Sequence, residues 1–203
     1  MSEQDATLDD FVNSRNSEDG DWTDDKLKNL LAKDEAGAWG NEPNNEGVPV
    51  LRATNFAPNQ IDLDEVAYRE IPESKRESKR LKSGDLVIER SGGSADQPVG
   101  RVLFFELDGE YYPGNFLRLV RPDTSQVNAR YLYYRLDYDY RRGETVSIQS
   151  NTTNIRNLQY GSYLNQDIPL PPFEEQRKIA TVLYTVDQAI QKTEEIESQI
   201  YQT

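Results

Sequence analysis

The chain is predicted to be α+β: one globular domain with a twisted, mostly antiparallel sheet, followed by a long C-terminal coiled-coil helix. Three observations predict it. From Gly47 to Ser150 the sequence breaks into short β-type runs separated by turn residues, as the strands of a sheet do. Inside that region "NARYLYYRLDYDYRR" carries its apolar residues at helical spacing. After "IPLPP", apolar residues recur every three or four positions almost to the last residue, which is the spacing of a helical seam.

Taken in order, residues 1–22 are acidic and aperiodic and are expected to be disordered. "TDDKLKNLLAKDEAG" predicts a short helix: Thr23 caps it, Asp24 and Asp25 suit its positive end, Leu27, Leu30 and Leu31 form its apolar face, and Gly37 stops it. Strands are expected in "GVPVLRATNF", "GDLVIER", "GRVLFFEL", "EYYPGNFLRLV" and "TVSIQS", with the Asp-Gly of "ELDGEYY" as a hairpin turn between two of them. In "NARYLYYRLDYDYRR" either Tyr131, Tyr134 and Tyr138 or Leu132 and Leu136 face the core, although so many tyrosines would also suit a strand. The globular domain is expected over 23–172 and the helix over 173–203, with no internal repeat.

In the closing helix Ile179, Val182, Val186, Ala189, Thr193, Ile196 and Ile200 alternate spacings of three and four, and Leu183 and Ile190 widen the stripe. A single helix cannot bury such a face, so it needs another helix. The preceding Pro-Leu-Pro-Pro stiffens the exit and directs the helix away from its domain; folding back on that domain is the alternative.

Composition narrows the chemistry. At 203 residues there is room for one domain with a core and an appendage. The chain has no cysteine and no histidine, which excludes thiol chemistry, disulfides, Ser-His triads and ordinary zinc sites and leaves only carboxylates for a metal. It has no apolar run of membrane-spanning length and no signal-peptide pattern at its acidic, methionine-led start, so a cytoplasmic location is expected. The net charge of -13 is uneven: 13 acids face 4 bases in residues 1–46, 17 face 16 in 47–173, and 6 face 3 in 174–203. The middle of the chain is thus nearly neutral and open to nucleic acid. The acidic excess, with 15 Arg against 8 Lys and no cysteine, also suggests a halophilic source, where surface carboxylates keep proteins soluble.

The run "SNTTNIRNLQYGSYLNQDIPLPPFEEQRKIATVLYTVDQAI" resembles the junction between a target-recognition domain and its conserved helix in the specificity subunits of type I restriction-modification systems. The resemblance lies in Thr152, Thr153, Asn157 and Leu158, then Ile168 to Pro172, then Glu175, Gln176, Ile179, Ala180, Leu183 and Asp187. "AWGNEPNNEGVPVLRATNF" and "LKSGDLVIERSGGS" are similar to the beginning and middle of such a domain, so the likeness covers about Trp39 to Thr203. It implies a non-catalytic subunit that recognises double-stranded DNA. It also implies partners: a modification (methyltransferase) subunit using S-adenosylmethionine and a restriction (motor-nuclease) subunit using ATP and magnesium, with no cofactor in this chain. Family members carry two recognition domains and two conserved helices. This chain has room for one of each and resembles a half subunit that needs a second half, identical or different, to read a bipartite site. A helix of about 30 residues spans ~45 Å, enough to act as a ruler between half-sites ~34 Å apart on one DNA turn.

Base readout requires forked or planar polar side chains: Arg for guanine, Asn or Gln for adenine, Ser and Thr as adaptable contacts. Three turns supply them: Arg52, Thr54 and Asn55 in "LRATNF"; Arg90, Ser91, Gly92 and Gly93 in "ERSGGS"; Asn151, Thr152, Thr153, Asn154 and Arg156 in "QSNTTNIR". The same residue types also serve any turn structurally. Lys75, Arg76, Lys79 and Arg80, with Lys82, form the densest basic run and suit phosphates, or else a solvated helix paired with Glu73 and Glu77. No phosphate-binding loop with Lys, Asn-Pro-Pro-Tyr motif or nuclease carboxylate spacing is present. Two other readings are a coiled-coil module whose domain binds protein, and a recognition domain detached from a fused restriction-methyltransferase enzyme.

Overall fold

A computed structural model of the chain describes residues 21–201 apart from 44, 45, 58, 59, 95, 153 and 154. The acidic tail expected over 1–22 lies outside the described residues up to position 20.

The fold is α+β. Among the described residues the strands are β1 (Thr23–Lys26), β2 (Leu31–Ala36), β3 (Val48–Leu51), β4 (Phe56–Ala57), β5 (Gln60–Ile61), β6 (Ala67–Arg69), β7 (Leu86–Glu89), β8 (Ser91–Gly93), β9 (Val102–Phe104), β10 (Tyr112–Pro113), β11 (Leu117–Pro122), β12 (Gln149–Thr152), β13 (Ile155–Leu158) and β14 (Asp167–Leu170). The α-helices are α1 (Glu73–Lys79), α2 (Ala129–Arg141), α3 (Tyr160–Leu164) and α4 (Phe173–Tyr201). The strands form several small sheets, the largest in the order β2-β11-β7-β9. Every pairing is antiparallel except that of β10 with β3.

Strand β7 is the centre of the domain, and its uninterrupted apolar run shows why. Side chains alternate between the two faces of a strand, and both faces are covered here. Leu86 and Ile88 enter one core with Leu30, Leu132, Leu136, Tyr163 and Ile168, whereas Val87 enters another with Leu51, Leu103, Leu117 and Leu119. Helix α2 covers the first core. Asn128 caps it by accepting the Tyr131 N–H at 3.0 Å, and Tyr131, Leu132, Tyr133 and Leu136 are buried while Tyr138 is half exposed.

Three expectations change. The segment expected as a helix from Thr23 to Gly37 is β1, a single 3-10 turn (Leu27–Leu30) and β2. Leu27 and Leu30 are both fully buried, a spacing that one 3-10 turn satisfies as well as a helix does. The flanks then pair over long range, Thr23 opposite Leu170 and Glu35 opposite Leu119, and this pairing overrides helix propensity. "TVSIQS" is largely 3-10 (Glu144–Ile148) before β12 begins. Asp108-Gly109 closes no hairpin, because β9 pairs with β7 and β10 with β3 in different sheets.

The exit of the domain is tightly held. The Tyr131 hydroxyl donates to the Pro169 carbonyl at 2.6 Å. Gln176 is buried; its Nε2 donates to the Pro171 carbonyl at 2.9 Å and its Oε1 accepts the Asn128 N–H at 2.9 Å. The prolines therefore do not send the helix clear of its domain. The first half of α4 lies against α2: Ala180 is buried, Ile179 packs partly on the core, and the Tyr134 hydroxyl reaches Asp187. Away from that contact α4 exposes Val182, Val186, Ala189, Ile196 and Ile200, with Leu183 and Ile190 exposed on its flank. The predicted stripe thus divides, with Ile179 on the domain and the rest outward.

Candidate nucleic-acid interface

Two of the three candidate turns converge in one sheet, β12-β13-β8. Arg156 lies opposite Gly93 and Asn157 opposite Ser91, with a register shift between them. Asn151 lies opposite Arg156 on the other side. Arg90, Ser91, Gly93, Asn151 and Arg156 are more than fifty residues apart in sequence at the extremes, yet they share this small surface. Thr152 belongs to β12, and Thr153 and Asn154 lie outside the described residues.

The side chains divide by role. Ser91 is buried and donates from Oγ to Asn157 Oδ1 at 2.7 Å, tying β8 to β13. Gly93 has no room for a side chain, since a Cβ would lie 2.6 Å from the Gln97 carbonyl oxygen. Arg90 and Asn151 are exposed and Arg156 is half-buried. Among the described residues, Arg90 and Arg156 are the arginines whose guanidinium has neither a carboxylate nor a carbonyl partner; Arg69, Arg80, Arg101, Arg118, Arg121, Arg130, Arg135, Arg141, Arg142 and Arg177 are ion-paired. Arg52 and Arg76 donate to the carbonyls of Glu65 and Ile71.

The third turn is built differently. Asn55 is buried; its Oδ1 accepts the Arg52 N–H at 2.8 Å and its Nδ2 donates to the Asp62 carbonyl at 2.8 Å. Both ends of the amide are therefore used in holding the 3-10 turn of Ala53–Asn55, which corrects the expectation that Asn55 faces a base. Thr54 remains exposed. The basic run forms α1, and three of its cations hold the domain together. Lys79 Nζ meets Glu35 Oε1 at 2.8 Å, Arg76 Nε donates to the Ile71 carbonyl at 2.9 Å, and Arg80 meets Glu110 at 3.0 Å. The Lys79 hydrogen bond, against a smaller opposing effect of burial, lowers the Glu35 pKa. Lys75 and Lys82 point to solvent.

Arg101 was not legible as a site residue. Its guanidinium bonds Glu89 Oε2 at 2.7 Å and the Ala53 carbonyl at 3.0 Å and lies 5.4 Å from the Phe56 ring centroid. It joins the "LRATNF" turn to the end of β7, one residue before Arg90. Asn115 and Phe116 are exposed beside this turn, and the Phe116 carbonyl accepts the N–H groups of Arg90 and Ser91 at 2.8 and 3.2 Å.

A groove of about 640 Å³ separates α2 and α4 from the β4-β5 pair. Within it Arg130 pairs with Glu106 and Arg141 with Asp137, each at 2.6 Å, and Asp187 of α4 accepts from the Tyr134 hydroxyl of α2, contacts that join helix and domain. Among the described residues no group of three or more carboxylates could hold a metal ion, and no helix is long and apolar enough to cross a membrane.

Comparison with known proteins agrees with this construction. Residues 20–202 match the type I restriction modification DNA specificity domain. The chain is 27% identical over 173 residues to the putative type I restriction enzyme MjaX specificity subunit of Methanocaldococcus jannaschii, covering 84% of this chain and 40% of that protein. It is 29% identical over 154 residues to the EcoKI specificity subunit of Escherichia coli, covering 73% of this chain and 32% of that one. The chain therefore spans well under half the length of these relatives. In fold it resembles the type I restriction-modification S subunit of M. genitalium, with a TM-score of 0.59 and 15% identity over 85% of this chain and 40% of that one. It also resembles the HsdS subunit of Thermoanaerobacter tengcongensis, with a TM-score of 0.56 and 22% identity over 86% and 39%. With its fold, its junction and nearly its whole length matched, the chain belongs to the type I restriction modification DNA specificity domain family.

Proposed function

We propose that this chain selects the DNA sequence for a type I restriction-modification assembly and performs no chemistry itself. The observation that carries the reading is the pair of unpartnered arginines, Arg90 just before β8 and Arg156 on the neighbouring β13, with the exposed Asn151 opposite Arg156 on β12. Among the other described residues of this acidic chain, almost all arginines are spent on carboxylates. A guanidinium left free here has the fork that matches guanine O6 and N7, and Asn151 has the paired donor and acceptor that match adenine. The modification subunit would supply S-adenosylmethionine chemistry, and the restriction subunit ATP- and magnesium-dependent cleavage. The outward stripe of α4 would pair with a second specificity half, identical or different, so that two domains read a bipartite site on cytoplasmic DNA. The decisive experiment is selection from a random duplex pool by the purified chain with its modification partner, at the salt of its host. A bipartite motif is expected, and recovery of no motif would end the reading.

A second reading, a helical interaction module whose domain binds protein, draws on the same outward stripe, Val182 to Ile200. A neighbouring gene for an adenine methyltransferase favours the first reading; selective binding to a protein without DNA favours the second.

A further inference from the structure

We propose that Phe116 is a specificity-determining residue that contacts the C5 methyl of a thymine in the major groove, beside the base read by Arg90. This rests on the reading of the β12-β13-β8 sheet as a DNA surface and adds the kind of base that surface selects.

Phe116 is 47% exposed, whereas the next residue, Leu117, is 1% exposed in the core. The turn carrying it is closed by the Leu117 N–H to the Gly114 carbonyl at 2.9 Å, and its own carbonyl takes the N–H groups of both Arg90 and Ser91. Its position relative to Arg90 is therefore fixed by main-chain bonds. Beneath the ring lies Gly92, with φ of +105°, where a Cβ would stand 3.3 Å from Cδ2 and 3.9 Å from Cε2 of Phe116. Glycine is needed there twice: the left-handed backbone disfavours other residues, and a side chain would push the ring away. With one side resting on main chain, the ring turns its other side to solvent as a fixed apolar plate.

Such a plate complements what the polar residues cannot read. Forked donors distinguish guanine and adenine, but the feature that marks thymine in the major groove is its methyl group, which is read by apolar contact. A wedge between base pairs would need a ring that stands clear of the surface, and Phe116 is backed by Gly92 instead. Continuity with Arg90 through shared hydrogen bonds makes DNA, rather than a protein partner, the occupant.

The test uses the full chain with its modification partner. A duplex selected from a random pool is remade with each thymine of either strand replaced singly by deoxyuridine, which removes only the methyl. Loss of one buried methyl is expected to weaken wild-type binding about fourfold at one position. Phe116→Ala should bind the thymine and uracil duplexes equally, at or below that weakened level, with an unchanged melting temperature. Phe116→Leu should keep part of the discrimination. Wild-type indifference at every thymine, a motif without thymine, or discrimination that survives in Phe116→Ala would overturn the proposal. So would a Phe116→Ala variant that loses its partner subunit while holding DNA normally. If the wild type selects no motif at all, the DNA reading itself falls; a clear motif with no uracil effect removes only the role of Phe116.

Discussion

The hydroxyl of Tyr134, on α2, donates a 2.7 Å hydrogen bond to Oδ2 of Asp187, on the long helix α4. One turn back on both helices, the Arg130 guanidinium lies 4.1 Å from the ring centroid of Tyr184 and 4.1 Å from that of Phe104. Burial, then the bond to Asp187, pushes the Tyr134 pKa far up, so its proton stays in place at any physiological pH. These contacts fasten the first half of α4 to the domain and set the angle between the candidate DNA surface and the outward stripe of the helix.

Loosening that fastening should change geometry more than folding. Tyr134→Phe removes a hydrogen bond to a charged acceptor, which costs about 1.5–3 kcal/mol; Arg130→Ala removes its ion pair with Glu106 together with two ring contacts worth about 0.5–1 kcal/mol each where exposed. Because the pairs share the same two helices, their effects should couple in a double-mutant cycle. Spin labels on the domain and on α4 should show a broadened distance distribution in the double variant. An unchanged distribution would show that other contacts hold the helix.

The two sides of α4 predict opposite phenotypes. Val186 is 49% exposed, so Val186→Asp should abolish helix pairing and leave the melting temperature within a few degrees of wild type. Ile179 packs partly against the domain core, so Ile179→Asp should destabilise the domain itself by more than about 2 kcal/mol. Sedimentation and thermal unfolding separate the outcomes. A Val186→Asp protein that still assembles would exclude the stripe as the joint.

The elements legible in the sequence are those specified by their own residues. Helix α2 announces itself through the helical spacing of its apolar residues, β7 through an uninterrupted apolar run, and α4 through its stripe. The Thr23–Ala36 segment has the local pattern of a helix, but its strands are decided by partners at Asp167–Leu170 and Leu117–Pro122, which local pattern does not reveal. The site was legible by residue type and not by partner. Asn55 and Asn151 are the same residue type in similar polar runs, but the fold sets the first in a 3-10 turn that uses both ends of its amide and the second on β12 with its side chain exposed. Arg101 and Phe116 sit at strand ends where a sequence offers no sign of what lies opposite.

Asp139 gives the domain a pH dependence of definite sign. It is buried on α2 and paired with Arg135 at 2.8 Å; burial, which outweighs the arginine, raises its pKa above the ordinary 3.8. A carboxyl raised in the folded state favours folding below its unfolded pKa, and that contribution is lost as pH rises through the folded value. Asp139→Asn is neutral at every pH, so its stability relative to wild type should improve as pH climbs from about 4. Urea midpoints of both proteins across that range test the sign; a constant difference would show that Arg135 cancels the burial.

Arg90 and Arg156 should differ from the paired arginines in what their loss removes. A guanidinium bidentate to guanine costs about 1–3 kcal/mol when truncated and relaxes selectivity at one position, whereas a phosphate contact weakens all sequences alike and reduces the salt slope by about one. Arg90 is exposed, and its N–H and that of Ser91 share the Phe116 carbonyl; Arg90→Ala is expected to do the first. Arg121→Ala is the contrasting control: its guanidinium bonds both oxygens of the buried Asp85 at 2.6 and 2.7 Å, so its loss strands a carboxylate in the core and lowers stability without changing which bases are preferred. Selections with each variant, repeated over a salt series, read both quantities at once. In a chain of net charge -13, nonspecific attraction to phosphate is weak and high salt weakens it further. The cations the fold leaves unpaired should then carry a share of the selectivity beside Asn151 and Phe116, and an Arg90→Ala protein with an unaltered motif would show that Arg90 carries none.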